Sequence, residues 1–184
     1  MVALQTPACN FKMHAYDFRL KNVDNTIVSL DDFKKKKPKG LVVAFICNHC
    51  PFVVAILDKI VKDASELMQY GVEFVAIMPN DYIAYPQDSF EKMQQISKEK
   101  KFTFPYLLDD TQEVAKQYGA VCTPDFFGFN ADFNLIYRGR LDVSEMTNVD
   151  NAERELFNAM VDVSNGIIPN KQNPSKGCSI KWKL

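Results

Sequence analysis

The chain has no surplus of charge: 22 Lys and Arg stand against 23 Asp and Glu, a net charge of −1. That balance gives no sign of nucleic acid or of an anionic membrane as partner. Long apolar runs are missing too; none approaches the ~18 residues a membrane span needs. The N-terminal Met-Val-Ala-Leu-Gln-Thr-Pro lacks both the basic region and the apolar stretch of a secretory leader, so a reducing cytoplasm is the expected location. Repeats, low-complexity tracts and linkers long enough to separate domains are absent. Histidine is scarce, with His14 and His49 alone, and Trp182 is the only tryptophan. What remains is an ordinary globular composition, 47% apolar and 24% charged over 184 residues, which predicts a single domain, 1–184. A core of that size needs no disulfide or metal staple. The five cysteines are an odd number, which argues against a structural disulfide framework and leaves them available for chemistry.

Two of them form Cys47-Asn48-His49-Cys50. In front stands Leu41-Val42-Val43-Ala44-Phe45-Ile46, an apolar run with the pattern of a strand buried on both faces. Behind, 51–70 carries Phe52, Ile56, Ile60 and Leu67 at helical spacing. The free N–H groups and dipole of a first helical turn favour a thiolate. Cysteines at i and i+3 there can close a disulfide across the turn. The pattern predicts that only Cys47 faces solvent, attacking as the nucleophile while Cys50 resolves. A protonated His49 would stabilise the Cys47 thiolate. A closed zinc site needs two further ligands, and no second C-x-x-C exists, so no metal and no cofactor are expected.

Further along, 18–30 reads as a hairpin around Asp24-Asn25, and 34–40 as a solvated lysine-rich loop. Val72 to Ile77 predicts a second buried strand. Asp88 or Ser89 caps a helix bearing Phe90, Met93 and Ile96, and Pro105 to Leu108 is a short strand. Asp110 with Glu113 has the form of a capping box, and Gly119 ends that helix. Phe126 to Phe129 and Leu135 to Arg138 predict an antiparallel pair. Asp150 with Glu153 caps a last helix that ends at Asn165-Gly166, before a tail containing Gly177-Cys178-Ser179-Ile180-Lys181-Trp182. Strands alternating with helices imply right-handed crossovers and an α/β fold with a central, mixed sheet.

Several blocks, taken in order, resemble the peroxiredoxin-like branch of the AhpC/TSA and thioredoxin-like superfamily. They are Phe45 to Val53, Asn80-Asp81 with Pro86 and Asp88-Ser89, Thr123 to Phe127, Tyr137 to Arg140, and Gly177 to Lys183. The resemblance implies a thioredoxin-like three-layer fold, with a hairpin extension at 1–33, a core at 41–165 and a tail at 166–184. It places a cis Pro124 opposite the C-x-x-C, leaving the Thr123 backbone free to pair with an extended substrate chain. It implies thiol-disulfide exchange on a disulfide-bearing protein or small molecule, re-reduced by a thioredoxin- or glutathione-type thiol. The alternative it carries is an antioxidant thiol peroxidase with Cys47 as the peroxide-reacting thiol. Peroxiredoxins resemble P-x-x-x-T-x-x-C, but here Gly40 and Ala44 occupy the proline and threonine positions. Thioredoxins have an aspartate on the strand before the C-x-x-C, and this strand has none, which leaves His49 and Asp125 to serve Cys50 as base. Cys122 and Cys178 are expected within reach as third redox partners or as packed thiols, and Arg140 near the thiols or on the surface. Trp182 is expected to pin the tail, Cys9 and His14 to be structural, and 80–89 to border the site. A copper or zinc carrier using Cys47 and Cys50 is the remaining reading.

Overall fold

A computed structural model describes residues 2–183. The short strand β1, Ala3–Gln5, is followed by an extended arm and then by β2, Arg19–Asn22, which turns back into β3, Ile27–Ser29. The turn lies where expected. Asn25 takes φ 68°, a left-handed conformation that asparagine tolerates, and Asp24 Oδ1 accepts from the Thr26 N–H at 2.8 Å.

The lysine run is not a loop. Helix α1, Leu30–Lys36, contains it, opened by Asp32, which accepts from the Ser29 N–H at 2.9 Å. Only Leu30 and Phe33 of this helix are buried, too narrow an apolar face to show as a period. Its lysines crowd the last turn, where they suit the dipole. Strand β4, Gly40–Phe45, comes next and is buried at every position. The helix expected over 51–70 divides into α2, Pro51–Val54, and α3, Leu57–Leu67, because Ile56 leaves the helical region with ψ near 4°.

Strand β5, Val72–Met78, and α4, Phe90–Glu99, follow, the latter capped by Ser89 Oγ accepting from the Lys92 N–H at 3.3 Å. After β6, Tyr106–Leu108, helix α5, Glu113–Tyr118, is ended by Gly119 at φ 62°. The expected Asp110–Glu113 box does not form. Buried Asp109 serves the helix start instead, accepting from the Ala115 N–H at 2.8 Å. The remaining elements are β7, Cys122–Thr123, β8, Asp125–Asn130, β9, Leu135–Gly139, α6, Glu155–Ser164, and β10, Lys176–Ser179. Helix α6 has no side-chain cap, so Asp150 and Glu153 do not act as one. Arg154, at its start, reaches across to Asp63 and Glu66 of α3.

Seven strands form one sheet in the order β3-β2-β6-β5-β4-β8-β9, with β4, β5 and β6 parallel and the other pairings antiparallel. Alternation along β4 sends Val42 and Ala44 to one face and Leu41, Val43 and Phe45 to the other. On the first face they join Ile60, Leu67, Phe74 and Met160. On the second they join Phe33, Val75, Tyr118 and Phe127. Both faces are thus dry, which is why β4 reads as an unbroken apolar run. A second sheet, β1-β10-β7, lies apart from the first and is entirely antiparallel. No helix among the described residues is long and apolar enough to cross a membrane.

Candidate active site

Where β4 ends, the chain enters α2 through Cys47 to Cys50, with Cys50 at the N-cap and Pro51 in the first helical turn, a position that loses no needed N–H. Both sulfurs are deeper than the sequence suggests. Cys47 is 2% exposed and Cys50 0%, so Cys47 is only marginally the outer one. All five cysteines are thiols. The Cys47 sulfur lies 3.3 Å from Thr123 Oγ1, and the Cys50 thiol donates to the Thr123 carbonyl at 3.1 Å. The Thr123–Pro124 peptide is cis, as expected.

The 80–89 segment borders the site, and its principal member is Asp88, which the sequence suggests only as a helix cap. It is wholly buried. Its carboxylate accepts from the Asn48 N–H and from Asn80 Nδ2, both at 2.8 Å, and lies 2.8 Å from His49 Nδ1. Asn48 Oδ1 in turn accepts from the Tyr106 hydroxyl at 2.9 Å, and Tyr85 stacks on the His49 ring at 5.9 Å. The two residues between the cysteines are therefore held from outside the motif. Its membership of the Asn80-Asp81 to Ser89 block is the only sequence signal that sets it near the site. Cys47, His49 and Asp88 also bring a sulfur, a nitrogen and an oxygen within 4.8 Å of one another, a trio that could hold a metal ion. It omits Cys50, so it differs from the Cys47–Cys50 carrier site considered above.

The two thiols influence each other's ionisation. Their mutual hydrogen bond is the largest influence on both: it raises Cys47 well above the ordinary thiol value, with burial and the Asp88 charge adding to the rise, and lowers Cys50 to about 5 against the opposing effect of burial. The Val53 N–H and Cys178 further favour charge on Cys50. Against it stands the Thr123 carbonyl, while the Thr123 hydroxyl favours charge on Cys47. Both placements describe one thiolate per pair, and a proton moving between neighbouring sulfurs connects them. The thiolate absorbance of the reduced protein is therefore expected to titrate with a midpoint near 5 and to plateau at one thiolate for the pair. Because 5 lies below the unfolded thiol value of 9.0, the folded state binds fewer protons between the two. This ionisation therefore stabilises the reduced fold in full near pH 9, and the contribution is lost as pH falls from there to about 5. A midpoint near 9 would remove this account of the pair.

The Thr123 backbone is not free. Strand β10 pairs with β7 in the register Cys178 with Thr123 and Ser179 with Cys122, so the chain's own tail takes the edge expected for a substrate chain. Ser175 Oγ donates to the Pro124 carbonyl at 2.8 Å, fixing the entry to β10. Gly177 permits the approach: a Cβ there would run into the Thr123 carbonyl. Gly177→Ala is accordingly expected to cost on the order of 2–3 kcal/mol, as overpacking against backbone does. A thermal melt that leaves Tm within a degree would contradict this close fit.

The other expected residues divide. The Cys178 sulfur stands 2.7 Å from that of Cys50. Cys122 is buried and turned to its own loop, with its sulfur 3.5 Å from the Pro124 carbonyl, and burial raises its thiol. Asp125 is buried in a pair with Arg138, whose Nη2 donates to it at 2.9 Å and to the Gly119 carbonyl at 2.8 Å. Burial lifts the Asp125 carboxyl to about 6, against the pull of Arg138. Arg140 turns to Glu155, 2.7 Å away, rather than to the sulfurs. Trp182 is 40% exposed, and its contact with the body is Lys116, whose Nζ lies 5.7 Å from the ring. The tail is also held by Asn80, which accepts from the Lys181 N–H, and by Gln112, which accepts from the Lys183 N–H. His14 makes a single bridge with Asn134, and Cys9 packs partly against the sheet.

Against known proteins, the AhpC/TSA family pattern matches residues 12–142. The chain belongs to the AhpC/TSA family. An uncharacterised conserved protein from Geobacillus kaustophilus is 43% identical, with TM-score 0.92, over 100% of this chain and 97% of its own. A hypothetical protein from Sinorhizobium meliloti 1021 is 37% identical, with TM-score 0.92, over 98% of each chain. At low identity this AhpC/TSA chain shares its fold with thiol-disulfide oxidoreductases and peroxiredoxins. Among these is Peroxidoxin BcpB from Mycobacterium tuberculosis, 16% identical, with TM-score 0.63, over 87% of this chain and 99% of that one. No curated protein sequence matches.

Proposed function

We propose that this protein is a thiol-disulfide oxidoreductase working through Cys47 and Cys50, with Cys47 as nucleophile and Cys50 resolving. The observation that carries the reading is a pair of thiols at a helix start, both set against Thr123. As Cys47 attacks one sulfur of a substrate disulfide, its proton stays on Cys50, and the other substrate sulfur departs as thiolate. That thiolate takes the proton from Cys50. The Cys50 thiolate then attacks the Cys47 sulfur of the mixed disulfide, forming Cys47–Cys50 and releasing the second substrate thiolate. Two electrons pass from the dithiol to the substrate. A thiol reductant of thioredoxin or glutathione type reverses the sequence. A low first ionisation stabilises the dithiol and makes the Cys47–Cys50 disulfide the more oxidising.

Family membership favours a second reading, thiol peroxidase, in which Cys47 is oxidised to sulfenic acid and Cys50 condenses with it, expelling water. Against it, Ala44 offers no hydroxyl where peroxiredoxins hold peroxide with a threonine. The test is the rate of the reduced protein with hydrogen peroxide beside its rate with oxidised glutathione, with the linkages mapped by mass. Exchange with the disulfide, and a peroxide rate like that of free cysteine, supports the proposal. A peroxide rate orders of magnitude above free cysteine replaces it with the peroxidase.

A further inference from the structure

We infer that Cys178 is a third thiol of this site and takes over the disulfide formed by Cys47 and Cys50. The inference rests on the exchange reading above and extends it to a strand 128 residues away in sequence.

Cys178 and Cys50 stand 2.7 Å apart, closer than two sulfurs in van der Waals contact and within a small shift of the ~2.05 Å disulfide bond. The position is held from several sides. Strand β10 is flanked by β1, where Cys178 lies opposite Ala3, and by β7, where it lies opposite Thr123. Before it, the Ser175 N–H donates to Thr6 Oγ1 at 2.9 Å; after it, the Ile180 N–H reaches the Val121 carbonyl and the Lys181 N–H reaches Asn80. The absence of a Cβ at Gly177 lets the strand lie against the Thr123 carbonyl. Cys122, although equally buried and on the paired strand, makes its contact with Pro124 instead. Cys178 therefore lies on an antiparallel strand beside Thr123 with its sulfur against that of Cys50.

The step is an intramolecular exchange. The Cys178 sulfur attacks Cys50, the Cys50–Cys178 bond forms as the Cys47–Cys50 bond breaks, and the Cys178 proton ends on Cys47. No electron is gained or lost. In the reduced protein, burial and the neighbouring Cys50 hold the Cys178 thiol up at about 12; in the step it gives up its proton as it attacks, and the departing Cys47 sulfur takes one. The result is a tail stapled to the first turn of α2 and a Cys47 thiol restored at the outer position.

The test uses the full chain and its Cys47→Ser variant, each equilibrated with oxidised glutathione, quenched in acid and mapped without reduction. Positioned sulfurs should outcompete the external thiol, so the variant is expected to lose two hydrogens and carry Cys50–Cys178 in excess over a Cys50–glutathione adduct, by on the order of tenfold or more. The unaltered chain should yield both Cys47–Cys50 and Cys50–Cys178, with Cys47 open to alkylation in the second. Glutathionylated Cys50 without the internal bond in the variant, together with Cys47–Cys50 alone in the unaltered chain, overturns the third-thiol role and leaves the exchange reading standing. Cys50–Cys178 in both proteins, with no Cys47–Cys50 in either, supports the Cys50–Cys178 pair and overturns the Cys47–Cys50 reading instead.

Discussion

Cys47→Ser is expected to lower turnover of a small disulfide by on the order of 10³-fold or more, since it removes the sulfur that attacks in the proposed exchange. Cys50→Ser should lose turnover to a similar degree for a different reason. Its Cys47 can still attack, but nothing resolves the product, so a mixed disulfide accumulates and is visible by intact mass. Removing Cys50 also removes the sulfur whose hydrogen bond shifts the Cys47 ionisation. The first ionisation of the remaining thiol should then move up from about 5, and the exchange rate at neutral pH should fall with it. The pair of variants separates the roles: adduct accumulation in Cys47→Ser with none in Cys50→Ser would reverse the assignment of nucleophile and resolver.

The largest loss of stability is expected at Arg138. Its guanidinium lies against Asp125, which is 0% exposed, and also serves the Gly119 carbonyl ahead of the β7 strand. Arg138→Met leaves that carboxylate buried without its partner, which typically costs on the order of 3–5 kcal/mol. For a chain of this length that lowers Tm by roughly 10 °C. The double change Asp125→Asn with Arg138→Met removes the stranded charge and should recover much of the loss. Calorimetry on the three proteins decides it. A single Arg138→Met variant as stable as the parent would mean that the buried Asp125 carboxyl does not need its partner. The same experiment has a pH arm. Burial raises the folded Asp125 carboxyl from 3.8 to about 6, so protonating it favours the fold below 3.8, and that contribution is lost as pH rises through 6.

Much of the fold is local, and so was open to reading from residues in order. β4 and β5 are buried on both faces and announce themselves as apolar runs, and the Cys47 to Cys50 turn sits directly on the end of one of them. Pro124 stands in a short segment whose geometry involves its immediate neighbours. The misread elements share a different property. Helix α1 packs through two residues, so its lysines dominate the pattern. Asp88 has the spacing of a cap, and only the return of its segment over Asn48 gives it another task. Trp182, the chain's sole tryptophan, drew attention by its type, yet the tail is also held by amide hydrogen bonds from Gln112 and Asn80. The contact between Cys50 and Cys178 depends on the register of a two-residue strand, which no periodicity encodes. Sequence spacing showed which residue types were present for redox chemistry; which sulfur met which was decided by pairing between distant strands.

Sulfurs this deep have a kinetic consequence. With Cys47 at 2% and Cys50 at 0% exposure beneath a strand that is itself paired on both edges, a bulky reagent must wait for that region of the chain to open. Its rate is then set by the opening equilibrium multiplied by the intrinsic rate, and measures the free energy of a local unfolding event. A reagent small enough to enter without opening reports the intrinsic rate alone. The ratio of the two makes the cysteines a built-in gauge of how often the β10 strand lifts from its neighbours, and sets a size limit on the disulfides this protein can meet quickly.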